Sequence, residues 1–236
     1  MFRDSARLYD LLYEAMGKDY ESEARVLDDL IQAARPGASS LLDVACGTGA
    51  HLEYLRSRYE VVGLDIEPAM LAQARTRLPG VELVEADMRD FSLRRSFDAV
   101  VCLFSSIGYM ASPEELDTAI GTMAAHLVPG GVLVVDGWVR PEAWRDPGSQ
   151  HALAARTDDL AVARVGWSQR EGNRTRLEMH HLIATRGGVE HVVEHHEMTL
   201  FTDAEYRSAF ERAGLAVEVA PSPTADRDRY VGTARK

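Results

Sequence analysis

The chain has 236 residues, 46% hydrophobic and 27% charged, which is the size and composition of one globular α/β domain carrying an insertion. Its 37 acidic against 26 basic side chains give a formal net charge of −11 with no clustered Lys/Arg run, which sets nucleic acid aside as a partner. Two cysteines exclude a disulfide framework, no run approaches ~18 apolar residues and so no membrane span is expected, and the charged start Met1-Phe2-Arg3-Asp4-Ser5 lacks the apolar stretch of a signal peptide, so a cytoplasmic location is expected.

Residues 4–17 carry Leu8, Leu11, Leu12 and Ala15 at helical spacing, with Tyr9, Tyr13 and Tyr20 punctuating an arm expected to lie over a cofactor mouth, Tyr9 and Tyr20 facing it. A second helix is predicted from Tyr20 to Ala34 on the stripe Val26, Leu27, Leu30 and Ile31, and Arg35-Pro36-Gly37 ends it. Strand predictions follow at 40–44, 61–64, 81–84, 97–103 and 132–136. Helices are predicted between them at 51–58, from Pro68 to Arg77, and at 113–127, with Pro129-Gly130-Gly131 as a turn. Strands alternating with helices at this spacing predict a mostly parallel sheet wound on both faces, in which ligands bind beyond the carboxyl ends of the strands. From Leu160 to Phe201 the pattern becomes that of three or four antiparallel strands, with turn signals at Gly172-Asn173 and Gly187-Gly188. Thr202 with Glu205 forms a capping box for a helix through Ala213, and strands are predicted at 215–219 and 230–234. The organisation read from this is a core of 1–138 and 202–236, with 139–201 as an antiparallel cap over the acceptor site.

Chemistry concentrates in Leu41-Leu42-Asp43-Val44-Ala45-Cys46-Gly47-Thr48-Gly49 and in Asp65, the acid that closes the second strand. A strand, a glycine turn and a helix let backbone crowd a nucleotide-like ligand, and the glycines serve both the turn and the close approach. A dinucleotide fingerprint needs a small residue three positions after its second glycine to seat a pyrophosphate; Leu52 stands there instead, so the turn reads as built for a nucleoside alone. Asp65 is placed to accept both ribose hydroxyls. Asp87 and Met88, beyond the third strand, are placed for an adenine amino group and ring, with Leu103 on the other face of that ring. The histidine pairs His180-His181 and His195-His196 make no chelate, because neighbours on a strand face opposite ways, and no metal site is expected.

This pattern resembles the binding motif of class I S-adenosylmethionine (SAM) methyltransferases, whose fold is Rossmann-like with a mixed, mostly parallel seven-stranded sheet. A closer resemblance spans nearly the whole chain. Tyr9-Asp10, Gly17-Lys18-Asp19-Tyr20, the 40–49 run, Asp87-Met88-Arg89-Asp90-Phe91, Phe104-Ser105-Ser106-Ile107-Gly108-Tyr109, Arg170-Glu171-Gly172 and Thr199-Leu200-Phe201-Thr202 are similar to the dTDP-3-amino-3,6-dideoxyhexose N,N-dimethyltransferases, the desosamine and mycaminose enzymes of macrolide biosynthesis. The resemblance implies SAM-dependent dimethylation of an amino sugar carried on dTDP, with S-adenosylhomocysteine as product. It implies SAM contacts from Tyr9, Ala45, Asp65, Asp87 and Met88, to which the residues themselves add Asp43, Gly47 and Gly49 of the turn and Leu103. It implies an acceptor site of Tyr20, Tyr109 and Arg227, with Arg227 facing the diphosphate, and Trp138, at the carboxyl end of the fifth strand, is added as a further candidate. Tyr109 is the candidate to orient the amine and take or relay its proton, and a homodimer is possible. The chain departs from the family at Asp136-Gly137-Trp138-Val139-Arg140-Pro141, where the family has E-P-W-W-F-P. It departs again at Asp65, where the family's ribose acid is usually Glu, and in the closing segment 222–230. The alternatives are a methyltransferase of another small acceptor, at N or O, and a SAM-sensing protein on the same fold.

Overall fold

The computed structural model describes residues 5–145, 148–220, 222 and 226–235; the chain start at 1–4 and positions 223–225 of the closing segment lie outside them. A 3-10 turn, Ala6–Leu8, leads into α1 (Tyr9–Ala15) and then α2 (Tyr20–Ala34), whose N-cap Asp19 accepts the Ser22 N–H. The core then alternates: β1 (Ser40–Val44), α3 (Ala50–Leu55), β2 (Glu60–Asp65), α4 (Pro68–Arg77), β3 (Glu82–Glu85), β4 (Phe97–Cys102), α5 (Pro113–Ala124) and β5 (Leu127–Asp136). Four antiparallel strands follow, β6 (Gln150–Arg156), β7 (Leu160–Glu171), β8 (Arg174–Thr185) and β9 (Gly188–Thr199), before α6 (Asp203–Arg212), β10 (Leu215–Ala220) and β11 (Arg229–Ala234) close the chain.

The main sheet has the order β10-β11-β5-β4-β1-β2-β3, parallel from β5 through β3, with β11 antiparallel to β5. The order reverses between β1 and β4, so the two loops leaving those strands diverge and open a crevice there. Both faces of this sheet are covered, which is why its central strands are continuous apolar runs rather than alternating ones. Leu42, Val100 and Leu133 pack under α5 and α6, while Leu41, Val101 and Val132 pack under α2 and α3.

Two boundaries differ from expectation. Pro129-Gly130-Gly131 does not precede the fifth strand but is built into it: Phe97 pairs with Leu127 and Ala99 with Val132, so the register jumps there, with Gly130 at φ +72°. A β-carbon on Gly131 would lie 2.9 Å from the Val128 carbonyl, which fixes glycine in this bulge. The antiparallel sheet starts ten residues before the predicted Leu160, at Gln150. The inward side chains of β6 there include Leu153 and Ala155, which join Leu8, Leu12, Val162 and Ile183 in a small cluster beneath α1. Alanine-rich alternation is a weak strand signal, and β6 gains its core only from partners far away in sequence.

Candidate active site

The loop from β1 to α3 and the tip of β2 are tied together by backbone. Cys46 N–H donates to the Leu64 carbonyl at 2.9 Å, and Gly47 N–H donates to Asp65 Oδ2 at 2.8 Å. Glu67 N–H donates to Asp65 Oδ1 at 2.8 Å. Each carboxylate oxygen therefore keeps a lone pair, and Asp65 is turned toward the groove beside Gly47. Ala45 (φ +61°) and Gly47 (φ +57°) both occupy the left-handed region, and a β-carbon on Gly47 would meet nothing within 4 Å. Gly47 lines a cleft that also brings together Tyr9, Ala45, Asp65, Asp87, Met88 and Tyr109 from the candidate set. Ile66, Met70 and Met110 complete its apolar wall and carried no recognisable signal in the sequence. An apolar cleft with a few convergent polar groups suits a nucleoside with a short polar tail.

Three candidates for the donor side lie outside the walls of this cleft. Asp43 is 2% exposed beneath the loop, and its Oδ1 has no hydrogen-bond partner among the described residues. Burial and the neighbouring Asp65 push the Asp43 carboxyl well above its usual range, which favours its neutral form. Burial also raises Asp65, opposed by the N–H groups of Glu67 and Gly47, which favour its charged form. Gly49 is the left-handed N-cap of α3 (φ +74°), where a β-carbon would strike Leu78 Cδ1 at 2.5 Å. Leu103 is 5% exposed and packs in the core under α2. Asp87 lines the cleft with its carboxylate gripped by Arg89, whose Nη2 lies 2.6 Å away.

The acceptor side is assembled by the turn after β4. Phe104 (φ +54°) and Ser105 (φ +66°) are consecutive non-glycine residues in the left-handed region, a costly conformation held by its surroundings. Phe104 N–H donates to Asp136 Oδ2 at 3.1 Å, and Ser105 Oγ–H donates to the Gly137 carbonyl at 2.7 Å. Arg227 Nη1 donates to Ser105 Oγ at 3.0 Å, and its guanidinium lies 4.6 Å from the Trp138 ring centroid. Lys18 Nζ sits 3.9 Å over the Phe104 ring and 2.7 Å from Glu23. Trp138 and Arg227 are thus brought together at one end of this turn, with Tyr109 at the other end and in the donor cleft. Tyr20 does not line the donor cleft: it is buried edge-on against His51, with its hydroxyl unpartnered among the described residues and with Lys18 Nζ, the cation over Phe104, 5.5 Å over its ring. Tyr13 of that arm also reaches the turn, edge-on to Phe104 with centroids 5.0 Å apart. The sequence set Tyr9 and Tyr20 toward the mouth and gave Tyr13 no such role; the contact of Tyr13 with Phe104 emerges only from the packing of α1.

One participant was passed over in the sequence. Tyr109 Oη lies 2.7 Å from His196 Nδ1. The His195-His196 pair faces opposite ways, as strand geometry demands, and that same fact points His196 into the molecule. Burial lowers the His196 imidazole to about 4, with Arg164 and His181 adding to the effect, and burial followed by Arg164 lowers His181 to about 4. Both are therefore neutral in the folded protein near pH 7, whereas in the unfolded chain they take up protons below about 6.5. A depressed histidine makes the unfolded state the better proton binder between those values, so stability is expected to fall as pH drops from 6.5 through 4. His181→Phe is expected to flatten that slope in urea melts taken across this window; an unchanged slope would remove His181 from the account.

A left-handed loop at the switch point, two strand-tip acids and a cleft between them define a class I SAM-dependent methyltransferase. A family model described as a methyltransferase domain matches residues 41–131. The dTDP-3-amino-3,4,6-trideoxy-alpha-D-glucopyranose N,N-dimethyltransferase of Streptomyces venezuelae is 48% identical to this chain, over 97% of each. The crystal structure of DesVI from Streptomyces venezuelae superposes with a TM-score of 0.92 at 48% identity, covering 98% of both chains. A SAM-bound amino pentose methyltransferase from Micromonospora echinaspora, involved in calicheamicin biosynthesis, superposes at 0.86 with 42% identity over 96% of both. The chain belongs to the dTDP-amino-sugar N,N-dimethyltransferases, a family of SAM-dependent enzymes. Among the described residues no helix is long and apolar enough to cross a membrane.

Proposed function

We propose that the chain transfers two methyl groups, one after the other, to the amine of a deoxyamino sugar carried on dTDP, a step of antibiotic biosynthesis. The observation that carries this reading is the strained Phe104-Ser105 turn, which seats a cation on an aromatic face, Arg227 on Trp138, beside the donor cleft. Asp65 would hold the ribose, Gly47 and Ala45 would leave room for the amino-acid tail, and Met88 with Asp87 would meet the adenine. SAM supplies an electrophilic methyl on sulfur, with S-adenosylhomocysteine as the leaving product. The remaining work of the protein is to place a neutral amine in line. An amine flanked by C–O bonds titrates nearer an α-amino group, about 8, than a lysine, about 10.4, so a useful neutral fraction exists without a strong base. Proximity then accounts for most of the acceleration, up to ~7–11 kcal/mol. The methylammonium formed first must lose a proton to water before the second attack.

Residues 139–201 serve in this reading as the roof of the acceptor space. The outer face of their sheet, with Val165, Trp167, Leu182 and Val189 exposed, suits pairing with a second copy. Arg227→Ala is expected to raise KM for a dTDP-amino sugar about 10- to 100-fold, the loss of one or two charge-assisted contacts to a diphosphate, with SAM affinity unchanged. An unaltered KM would move the diphosphate elsewhere. The deciding assay is mass spectrometry of a dTDP-amino sugar incubated with enzyme and SAM. Two added methyl groups are expected; equal methylation of simple amines would place the enzyme among general small-acceptor methyltransferases.

A further inference from the structure

The antiparallel sheet reaches the catalytic turn at three points. Thr199 Oγ1–H donates to the Met110 carbonyl at 2.7 Å. Trp138 Nε1–H donates to Thr175 Oγ1 at 3.2 Å. Gly108 admits the Met198 methyl so closely that a β-carbon there would lie 2.8 Å from it. The first and third contacts clamp the end of β9 against the segment that carries Tyr109, and the second ties β8 to the segment after β5. His196 lies two residues before Met198 on the same inward face of β9, 2% exposed, and its Nδ1 is 2.7 Å from Tyr109 Oη.

We infer that His196 is a positioning residue for methyl transfer, accepting the Tyr109 O–H at Nδ1 so that the phenolic oxygen turns its lone pairs toward the acceptor amine. The inference rests on the reading of Tyr109 as facing the acceptor. The direction of the bond matters. If Nδ1 carried the proton and donated it, the Tyr109 O–H would be left to donate into the cleft. It would then bind the lone pair that the amine needs for attack. With the O–H held by His196, the amine instead donates an N–H to the phenolic oxygen, and its lone pair is left free to point at the methyl.

His196 is not a proton sink in this arrangement. The groups around it are Arg164 on β7, His181 on β8, Glu194 on its own face of β9, Tyr109 on the packed turn and, on the opposite face of β9, His195; burial first, then His181, Arg164 and His195, disfavours a positive charge on it. Glu194 already accepts the Ser5 N–H at 3.2 Å and the Ser5 Oγ–H at 2.6 Å. The low proton affinity of His196, about 4 against about 8 for the amine, leaves transfer to the imidazole unfavourable by some four orders of magnitude. Burial above all keeps the imidazole neutral, with Arg164 a smaller contribution, as the acceptor role requires.

The test is a double-mutant cycle on turnover of a dTDP-amino sugar, with SAM affinity and melting temperature measured beside it. Tyr109→Phe and His196→Leu are each expected to lower kcat about three- to tenfold without changing SAM affinity, and the double variant is expected to be no worse than either. His196→Asn, which restores an acceptor near Nδ1, is expected to recover most of the loss. The rising limb of kcat/KM with pH is expected to stay with the amine in every variant. Additive losses, a His196→Asn enzyme as slow as His196→Leu, or a displaced rising limb would each overturn the inference. A merely structural role would lower melting temperature and SAM affinity together and would persist when Tyr109→Phe is already in place. If the wild-type enzyme leaves the sugar amine unmethylated, the functional reading fails before the cycle begins, so the two failures are distinct.

Discussion

Asp65→Ala is expected to take SAM binding below calorimetric detection while the fold survives. Two ribose hydroxyls donating to one carboxylate contribute roughly 1.5–3 kcal/mol each, together a loss of about 10²- to 10⁴-fold in affinity. The effect is compounded because the same carboxylate accepts the Gly47 and Glu67 N–H groups, so alanine also releases the loop from the strand tip. Asp65→Asn separates the two contributions. Its amide oxygen can satisfy only one of those N–H groups, and its NH₂ faces the other, so the loop is disturbed even though size and shape are kept. It is expected to fall between alanine and wild type. Asp43→Asn, by contrast, removes no charge if Asp43 is neutral, and its SAM affinity is expected to stay within a few-fold of wild type. Undiminished affinity in Asp65→Ala would dismantle the site.

The contrast between these acids shows what a sequence can carry. Asp65 was legible because its role depends on local order: a strand ends, an acid follows, and a glycine loop lies beside it. Asp43 and Gly49 matched the same motif, yet one is buried beneath the loop and the other is occupied with Leu78 at the start of α3. A motif marks a segment as functional without saying which of its side chains face the ligand and which hold the segment in shape. The parallel core was readable because doubly covered strands must be apolar throughout. The Pro129–Gly131 bulge was not, since its register is set by pairing with β4 rather than by its own turn residues. His196 required still more: a strand pattern can say that it faces inward, but only the docking of β9 on the 106–109 turn says what it meets.

The last consequence concerns how the acceptor turn is held. Asp136 is 8% exposed and accepts from Arg229 Nε at 2.6 Å, from Arg229 Nη2 at 3.1 Å and from Phe104 N–H at 3.1 Å. Arg229 is 2% exposed, on the antiparallel strand that pairs directly with Asp136. Removing one partner leaves a buried charge uncompensated, so Asp136→Ala is expected to destabilise the protein by about 3–5 kcal/mol in urea unfolding. A pair of this kind is worth much less against an apolar replacement, and Asp136→Leu with Arg229→Met is expected to recover most of that stability. It does not recover the turn. The Phe104 N–H still lacks its acceptor, and two successive left-handed residues have lost the group that holds them there, so Ser105 and with it Arg227 are expected to drift. The double variant should therefore fold, bind SAM as the wild type does, and show a KM for the nucleotide sugar raised at least tenfold. A wild-type KM in that variant would mean that the turn needs no carboxylate. Stability of Asp136→Ala within ~1 kcal/mol of wild type would mean that the Arg229 guanidinium finds water or another partner as soon as its acid is gone.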